Sequence, residues 1–199
     1  MLTLGRRVSE TSEIVGLVLP YMRELSMRTN LTCHLAILGE TEAVHLEKVV
    51  ARRHLNGDNT KAIGDCSPLH SSSLGKALLA WQSKESRASL LGKLKLQKYS
   101  STTITGRDRV IAELNKIQER GFSLDDQETS IGRRCVGSVI LDPLGNAKVA
   151  LSLSGRASEI TDSRVQGFAN ELMETAHKIS LHFERERIEL SLIRNVQRE

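Results

Sequence analysis

Aromatic side chains are scarce in this sequence: one Trp, two Tyr and three Phe among 199 residues. That scarcity excludes the stacking platforms on which single-strand nucleic-acid binders lay successive bases. Cysteine is scarce as well. Cys33, Cys66 and Cys135 are odd in number, lie far apart and form no C-x-x-C pair, which excludes a disulfide framework and a zinc knuckle and fits a reducing cytoplasm. No apolar run approaches the roughly 18 residues of a membrane span, and charges stand near the N-terminus where a signal peptide would be apolar. Neither a membrane nor export is expected. Fixed-period repeats are absent, and the only low-complexity stretch is the serine triplet at 71 to 73.

What is present is an ordinary globular balance, 39% hydrophobic and 26% charged, in a chain long enough for one domain with an appendage. The net charge of +4 permits nucleic-acid contact, but the pairs Arg6-Arg7, Arg52-Arg53 and Arg133-Arg134 are scattered and read as solvated surface, as does Lys76.

Along the chain, Val8, Val15, Val18, Met22 and Leu25 recur at helical spacing, with Pro20 able to kink the run or open a second helix. "NLTCHLAIL" and "AVHLEKVV" around "GETE" read as a hairpin, and a short strand is expected to end near Gly64, after the "NGD" turn at 56 to 58. A helix from Ser71 to Trp81 follows, then a polar helical stretch near Lys84 to Leu91. In "TGRDRVIAELNKIQERG" the pattern predicts a helix capped by Thr105 and stopped at Gly121. "FSLDDQE", "RRCVGSVILD" and "AKVALSLSG" read as strands, the last two joined by "DPLGN". Thr161 caps a final helix striped by Val165, Phe168, Leu172, Ala176, Ile179 and Phe183. The order implies an α+β domain with one mainly antiparallel sheet.

The hairpin from Arg134 to Ser154 separates into two faces, because strand side chains alternate. Val136, Ser138, Ile140, Val149, Leu151 and Leu153 form one bulky layer. Cys135, Gly137, Ala150, Ser152 and Ser154 form the other, and every one is small. Interiors pack without large voids, so either a helix or a ligand lies very close to that face. The two buried hydroxyls favour a polar guest. In "SPLHSSSLGKALLA" the serines either cap the helix or, with its free N-H groups and dipole, help face an anion.

Taken together, "HLEKV", "GDCSPLHSSSLGKALLA", "ERGFSLDDQE", "IGRRCVGSVILDPLGNAKVALSLSG" and "IT" before the last helix resemble the effector-binding domain of IclR-family transcriptional regulators, in order across residues 4 to 183. The resemblance implies a GAF-like α+β fold, a curved mainly antiparallel sheet flanked by helices. By the same resemblance, residues 1–19 are a linker or helix remnant, 20–183 the effector-binding domain and 184–199 a charged helical tail, and the winged helix-turn-helix DNA-binding domain is absent from this chain. The implied effector site comprises Ser73 and Leu74 through backbone N-H groups, with Asp125, Cys135, Ser152 and Ser154; Ser72, His70 and Arg133 are accessory. The family often has glycine or alanine where Ser73 and Leu74 stand, and an apolar residue where Arg133 stands.

The implied partners are a small carboxylic or sugar acid, a second or further copies of the chain in a homodimer or homotetramer, and DNA only through the missing domain. Neither a cofactor nor a catalytic residue is expected. Cys135 reads as an inert buried thiol and Arg133 as pointing to solvent. His34, His45 and His54 are expected to be surface or edge histidines rather than metal ligands. A thiol-dependent enzyme using Cys66 and Cys135, and a dry oligomerisation module, remain the competing readings.

Overall fold

The computed structural model describes residues 2–52 and 61–190, with side chains from residue 11 onward. The "NGD" turn, Arg53, His54 and residues 191–199 of the charged tail lie outside the described residues. Helix α1 (Leu2–Thr29) leads into strands β1 (Thr32–Leu38) and β2 (Glu42–Val49). Then come β3 (Cys66–Pro68), α2 (Ser73–Ala80), α3 (Lys84–Lys93) and α4 (Arg107–Arg120). The chain continues through β4 (Ser123–Asp126), β5 (Arg133–Ile140), β6 (Val149–Arg156) and α5 (Asp162–Glu186). The strands form one six-stranded sheet in the order β3-β2-β1-β6-β5-β4, antiparallel at every junction. This is the expected GAF-like α+β arrangement, a curled half-barrel with helices on both faces.

The bulky face of the hairpin is a core layer as its residues demand. Val136, Ile140, Val149, Leu151 and Leu153 pack with Cys33, Leu35 and Ile37 of β1 under α1 and α5. In α1 the buried apolar residues with described side chains are Ile14, Val18, Met22 and Leu25, three or four apart, and Pro20 sits on the exposed side of one continuous helix. In α5 the stripe read from the sequence is buried at Phe168, Leu172, Ala176, Ile179 and Phe183, with Val165 partly buried and Ala169 and Thr175 added beside it. That helix ends where Arg187 turns left-handed, φ 55°. The boundary placed at residue 19/20 falls inside α1.

The opposite face is shared. At one end α2 and α4 cover Ala36, Leu38, Val139 and Ala150 with Leu78, Leu114, Ile117 and their neighbours. Every residue of α2 is buried, so it is a core helix enclosed on all sides.

Several local expectations are corrected. The α4 N-cap is Gly106 rather than Thr105, and no side chain caps it, although Gly121 ends the helix in the left-handed conformation (φ 85°) as expected. Thr161 holds the N-cap position of α5, but its hydroxyl pairs with Ser163 Oγ at 3.1 Å instead of with a backbone N-H of the first turn. The short third strand begins after Gly64, whose positive φ turns the chain into it. The arginine pairs and Lys76 are not uniformly solvated. Arg134 is only 8% exposed because its guanidinium forks onto Asp126 (2.7 and 2.9 Å) and also reaches Asp162 and the Ile160 carbonyl. Lys76, 1% exposed, is ion-paired with Glu128 and donates to the Leu124 carbonyl at 2.5 Å.

Candidate functional site

The strand registers place the small face in rows. His34 pairs with Ser152, Ser152 with Gly137, and Gly137 with Ser123, so these four cross the sheet side by side from β1 to β4. The adjacent row runs Thr32, Ser154, Cys135, Asp125. Helix α2 starts directly over the Gly137 end. A Cβ on Gly137 would lie 2.7 Å from the Ser73 carbonyl oxygen, and Ser123 Oγ donates to that same oxygen at 2.6 Å. Gly75 is needed on the far side of the first turn, where a Cβ would meet the Pro68 carbonyl at 2.3 Å. Both glycines are there so that backbone can approach backbone.

Cys135, Ser152 and Ser154 of the small face border open space instead. Beside the start of α2 lies a cavity of about 230 Å³. The small-residue face therefore answers to both expected causes: close helix packing at Gly137 and empty space beyond it. Of the residues singled out from the sequence, Ser72, Ser73, Leu74, Asp125, Arg133, Cys135, Ser152 and Ser154 all line the cavity. His70 is not among them. It points the other way, its Nε2 3.0 Å from the Gln97 carbonyl and its ring stacked on Tyr99.

Each side chain has an identifiable setting. Ser72 is the N-cap of α2: its Oγ accepts from Gly75 N-H at 3.0 Å and donates to the Pro68 carbonyl at 2.7 Å. With the third N-H of the turn thus engaged, helix geometry leaves Ser73 and Leu74 N-H with no partner inside the helix. Asp125 accepts from Glu128 N-H (2.8 Å), Thr129 N-H (3.3 Å) and the Thr129 hydroxyl, which ties the loop after β4 to the cavity floor. Burial raises its carboxyl, an effect that the Thr129 bond and the Lys76 charge partly oppose. Cys135 Sγ donates to Ser154 Oγ at 3.4 Å; burial first, then the Asp125 charge, pushes the thiol up to about 12. A thiol held protonated in this way is a poor nucleophile. Cys66, on β3, is not among the residues lining the cavity.

Arg133 departs from the solvent reading. Period-two alternation puts it on the same face as Cys135, and its Nη1 donates to Ser154 Oγ at 3.0 Å on the cavity wall. Arg134 takes the outer ion pairs instead, so the two neighbours serve opposite faces.

Sequence reasoning missed His34, His45, Lys61, Ser67, Tyr99, Thr129 and Ser130 on this wall. His34 and His45 are not surface histidines; each is 4% exposed, and their rings meet edge to face at 5.2 Å. His34 shares the period-two face of β1 with Ala36, a signal present in the sequence. His45 has no such signal. A register shift between Leu35 and Ala36 places both Lys48 and His45 on the cavity face; unshifted pairing would have turned His45 toward the helical core. His54 lies outside the described residues, and among those described no group of three or more His, Cys, Asp or Glu is placed to hold a metal. Nor is any described helix long and apolar enough to cross a membrane.

Comparison with known proteins agrees with this geometry. The family described as "Bacterial transcriptional regulator IclR C-terminal" matches residues 7–181. The HTH-type transcriptional regulator KdgR of Escherichia coli K12 is 29% identical over 177 residues, 89% of this chain and 66% of KdgR. Among solved structures, the Thermotoga maritima IclR superposes with a TM-score of 0.81 at 28% identity, covering 85% of this chain and 68% of that one. The C-terminal domain of Escherichia coli KdgR gives 0.77 at 28% identity, covering 85% and 98%. The chain thus spans just under two thirds of the length of the curated relative it matches. It belongs to the IclR family of bacterial transcriptional regulators and corresponds to their C-terminal domain.

Proposed function

We propose that this domain binds a small carboxylic or sugar acid as effector, and that binding controls DNA recognition by an N-terminal winged helix-turn-helix domain of the full-length regulator. The observation that carries the reading is the 230 Å³ cavity beside the start of α2, walled by Ser152, Ser154 and Arg133. The Ser73 and Leu74 N-H groups and the positive end of the α2 dipole face the effector's carboxylate. Arg133, already bonded to Ser154, supplies a charge beside it. Ser152 and Ser154 exchange hydrogen bonds with hydroxyl or carbonyl oxygens, and Cys135 makes a soft contact. Asp125 takes a ligand hydroxyl while holding the Glu128–Thr129 loop.

An effector that binds one conformer of this loop and helix better than another shifts their populations. In a homodimer or homotetramer in the cytoplasm, with α1 and α5 as the contacts between copies, that shift changes the spacing of the DNA-binding domains. No cofactor takes part. The high Cys135 pKa speaks against the thiol-dependent alternative.

The test is thermal unfolding of this chain against a panel of small carboxylic and sugar acids. A true effector at 100 times its dissociation constant adds about 2.7 kcal/mol of stability, and Ser152→Ala and Ser154→Ala weaken the response. An acid panel that stabilises nothing, with the cavity packed dry in a solved structure, overturns the proposal in favour of an oligomerisation module.

A further inference from the structure

The β1–β2 side of the cavity is built from residues that the family resemblance does not name. There the wall is His34 on β1 and His45 on β2, with Ser67 and Lys61 beside them. His45 Nε2 and Ser67 Oγ are 2.8 Å apart, so that nitrogen is engaged. The Nδ1 atoms of His34 and of His45, both rings almost wholly buried, have no hydrogen-bond partner among the described residues. Buried polar atoms are nearly always paired, so two orphaned nitrogens on adjoining strands of one cavity wall mark a group that the bound state supplies. Neither ring is needed to fill a dry core, since both face the cavity and the bulged register of β2 brings His45 there.

Charge narrows the class of that group. Lys61 and Lys48 act on His45, and Lys48 and Arg133 on His34, with Asp65 the opposing charge near His45. On the remaining sides stand Cys135, with its thiol protonated, and the hydrogen-bonded Asp125. Apart from Arg133, whose charge the first carboxylate takes, Lys61 and Lys48 stand against Asp65 beside the histidines, and a carboxylate there would accept from imidazoles protonated at Nδ1 and offset Lys61. Size narrows it further. A cavity of roughly 150 Å³ holds a benzene, so one of about 230 Å³ takes about nine non-hydrogen atoms, more than a two- or three-carbon acid supplies. His34 lies two strands from Cys135, about 10 Å across the sheet.

The geometry points to a dicarboxylic acid of five or six carbons as the effector, with His34 and His45 holding its second carboxylate while the first lies at α2 and Arg133. The inference rests on the acid-effector reading above and makes the two histidines its specificity-determining residues.

Titration calorimetry of this chain with glutarate and adipate, against pentanoate and hexanoate of matched length, tests it. The diacids are expected to bind about tenfold or more tightly than their monoacids. His34→Leu and His45→Leu should abolish that preference by weakening the diacids while leaving the monoacids alone, and His34→Gln, which keeps a hydrogen-bonding group, should retain part of it. The preference ratio is independent of a general loss of stability, and the wild-type ratio decides the matter if a leucine variant does not fold. Monoacids binding as well as diacids, or a preference that survives both leucine variants, overturns this inference and leaves the acid-effector reading standing. Failure of all four acids overturns the dicarboxylate assignment; the wider reading then falls only if the broader acid panel is also silent.

Discussion

The Ser73 carbonyl oxygen sits where the first side-chain carbon of residue 137 would be, 2.7 Å from an ideal Cβ on Gly137. Ser123 Oγ lies beside it, also 2.7 Å from that Cβ, so the added carbon presses on both partners of their 2.6 Å hydrogen bond. Gly137→Ala should therefore lift α2 from the sheet, lowering stability by about 1–3 kcal/mol as overpacked sites do. For a domain of this size that is a fall of about 2–4 °C in Tm per kcal/mol, measured by calorimetry. Because the same movement displaces Ser73 and Leu74, ligand stabilisation should shrink with it. An alanine variant with unchanged Tm would mean that α2 does not rest on Gly137.

Lys76 and Glu128 form an ion pair with side-chain exposures of 1% and 5%. Removing one partner of such a pair strands a charge in the interior. Glu128→Ala is expected to destabilise by about 3–5 kcal/mol, whereas an apolar double replacement, Lys76→Met with Glu128→Leu, should recover much of that. Glu128 Oε2 also accepts from Ile104 N-H at 3.3 Å, a bond that the apolar pair does not restore, so part of the loss will persist. Urea unfolding of Lys76→Met, of Glu128→Leu and of the double variant measures the coupling. Additive losses would show the pair to be energetically independent.

How far the sequence discloses this site depends on which residues share a strand. The small face of β5 and β6 is legible because alternation is local, and it leads directly to Cys135, Ser152 and Ser154. The same alternation reaches Arg133, two positions before Cys135, although default solvation of arginine argues the other way. What local pattern does not contain is the pairing of distant strands. His34 comes beside Ser152 only because β1 lies between β2 and β6, and His45 reaches the cavity only through the bulge in β2. Lys76 is misread for a related reason: its position in a helix says nothing of Glu128, 52 residues away. The helical stripe of α5 is legible in the sequence, and the caps of α4 and α5 less so, since Gly106 and Thr161 act without a side-chain bond to a first-turn backbone N-H.

Thiol reactivity separates a sensor from a thiol enzyme. With Cys135 pushed up to about 12, its thiolate fraction at pH 8 is on the order of one part in ten thousand. Cys33, fully buried, is raised as well. Cys66 and Cys135 are both half-buried, so the raised Cys135 pKa is what should make an aromatic disulfide reagent modify Cys66 first in the native protein, and Cys66→Ser should remove the fast phase. Rapid modification of Cys135 in that variant would restore the thiol-dependent reading.

The buried histidines give stability a defined dependence on pH. His45 is lowered to about 4 by burial, with Lys61 and Lys48 adding to the effect, against 6.5 for an unperturbed imidazole. Between those two values the unfolded chain takes up a proton that the folded chain refuses, so stability falls as pH drops through the window. Crossing it fully corresponds to about 3 kcal/mol. His34, lowered by burial and by His45, acts in the same direction. Asp125 and Glu128 act oppositely, because burial raises their carboxyls and the folded state then holds protons that the unfolded chain has released. The informative quantity is therefore the difference between the wild-type protein and His45→Gln, followed by urea unfolding from pH 7 to pH 4. That difference should turn against the wild type as pH falls, by about 3 kcal/mol over the whole window. A diacid in the cavity should reduce the change, since a carboxylate against His45 raises the folded-state affinity for the proton. A difference independent of pH would mean that the imidazole is not held neutral, and would remove the electrostatic basis for placing a second carboxylate beside it.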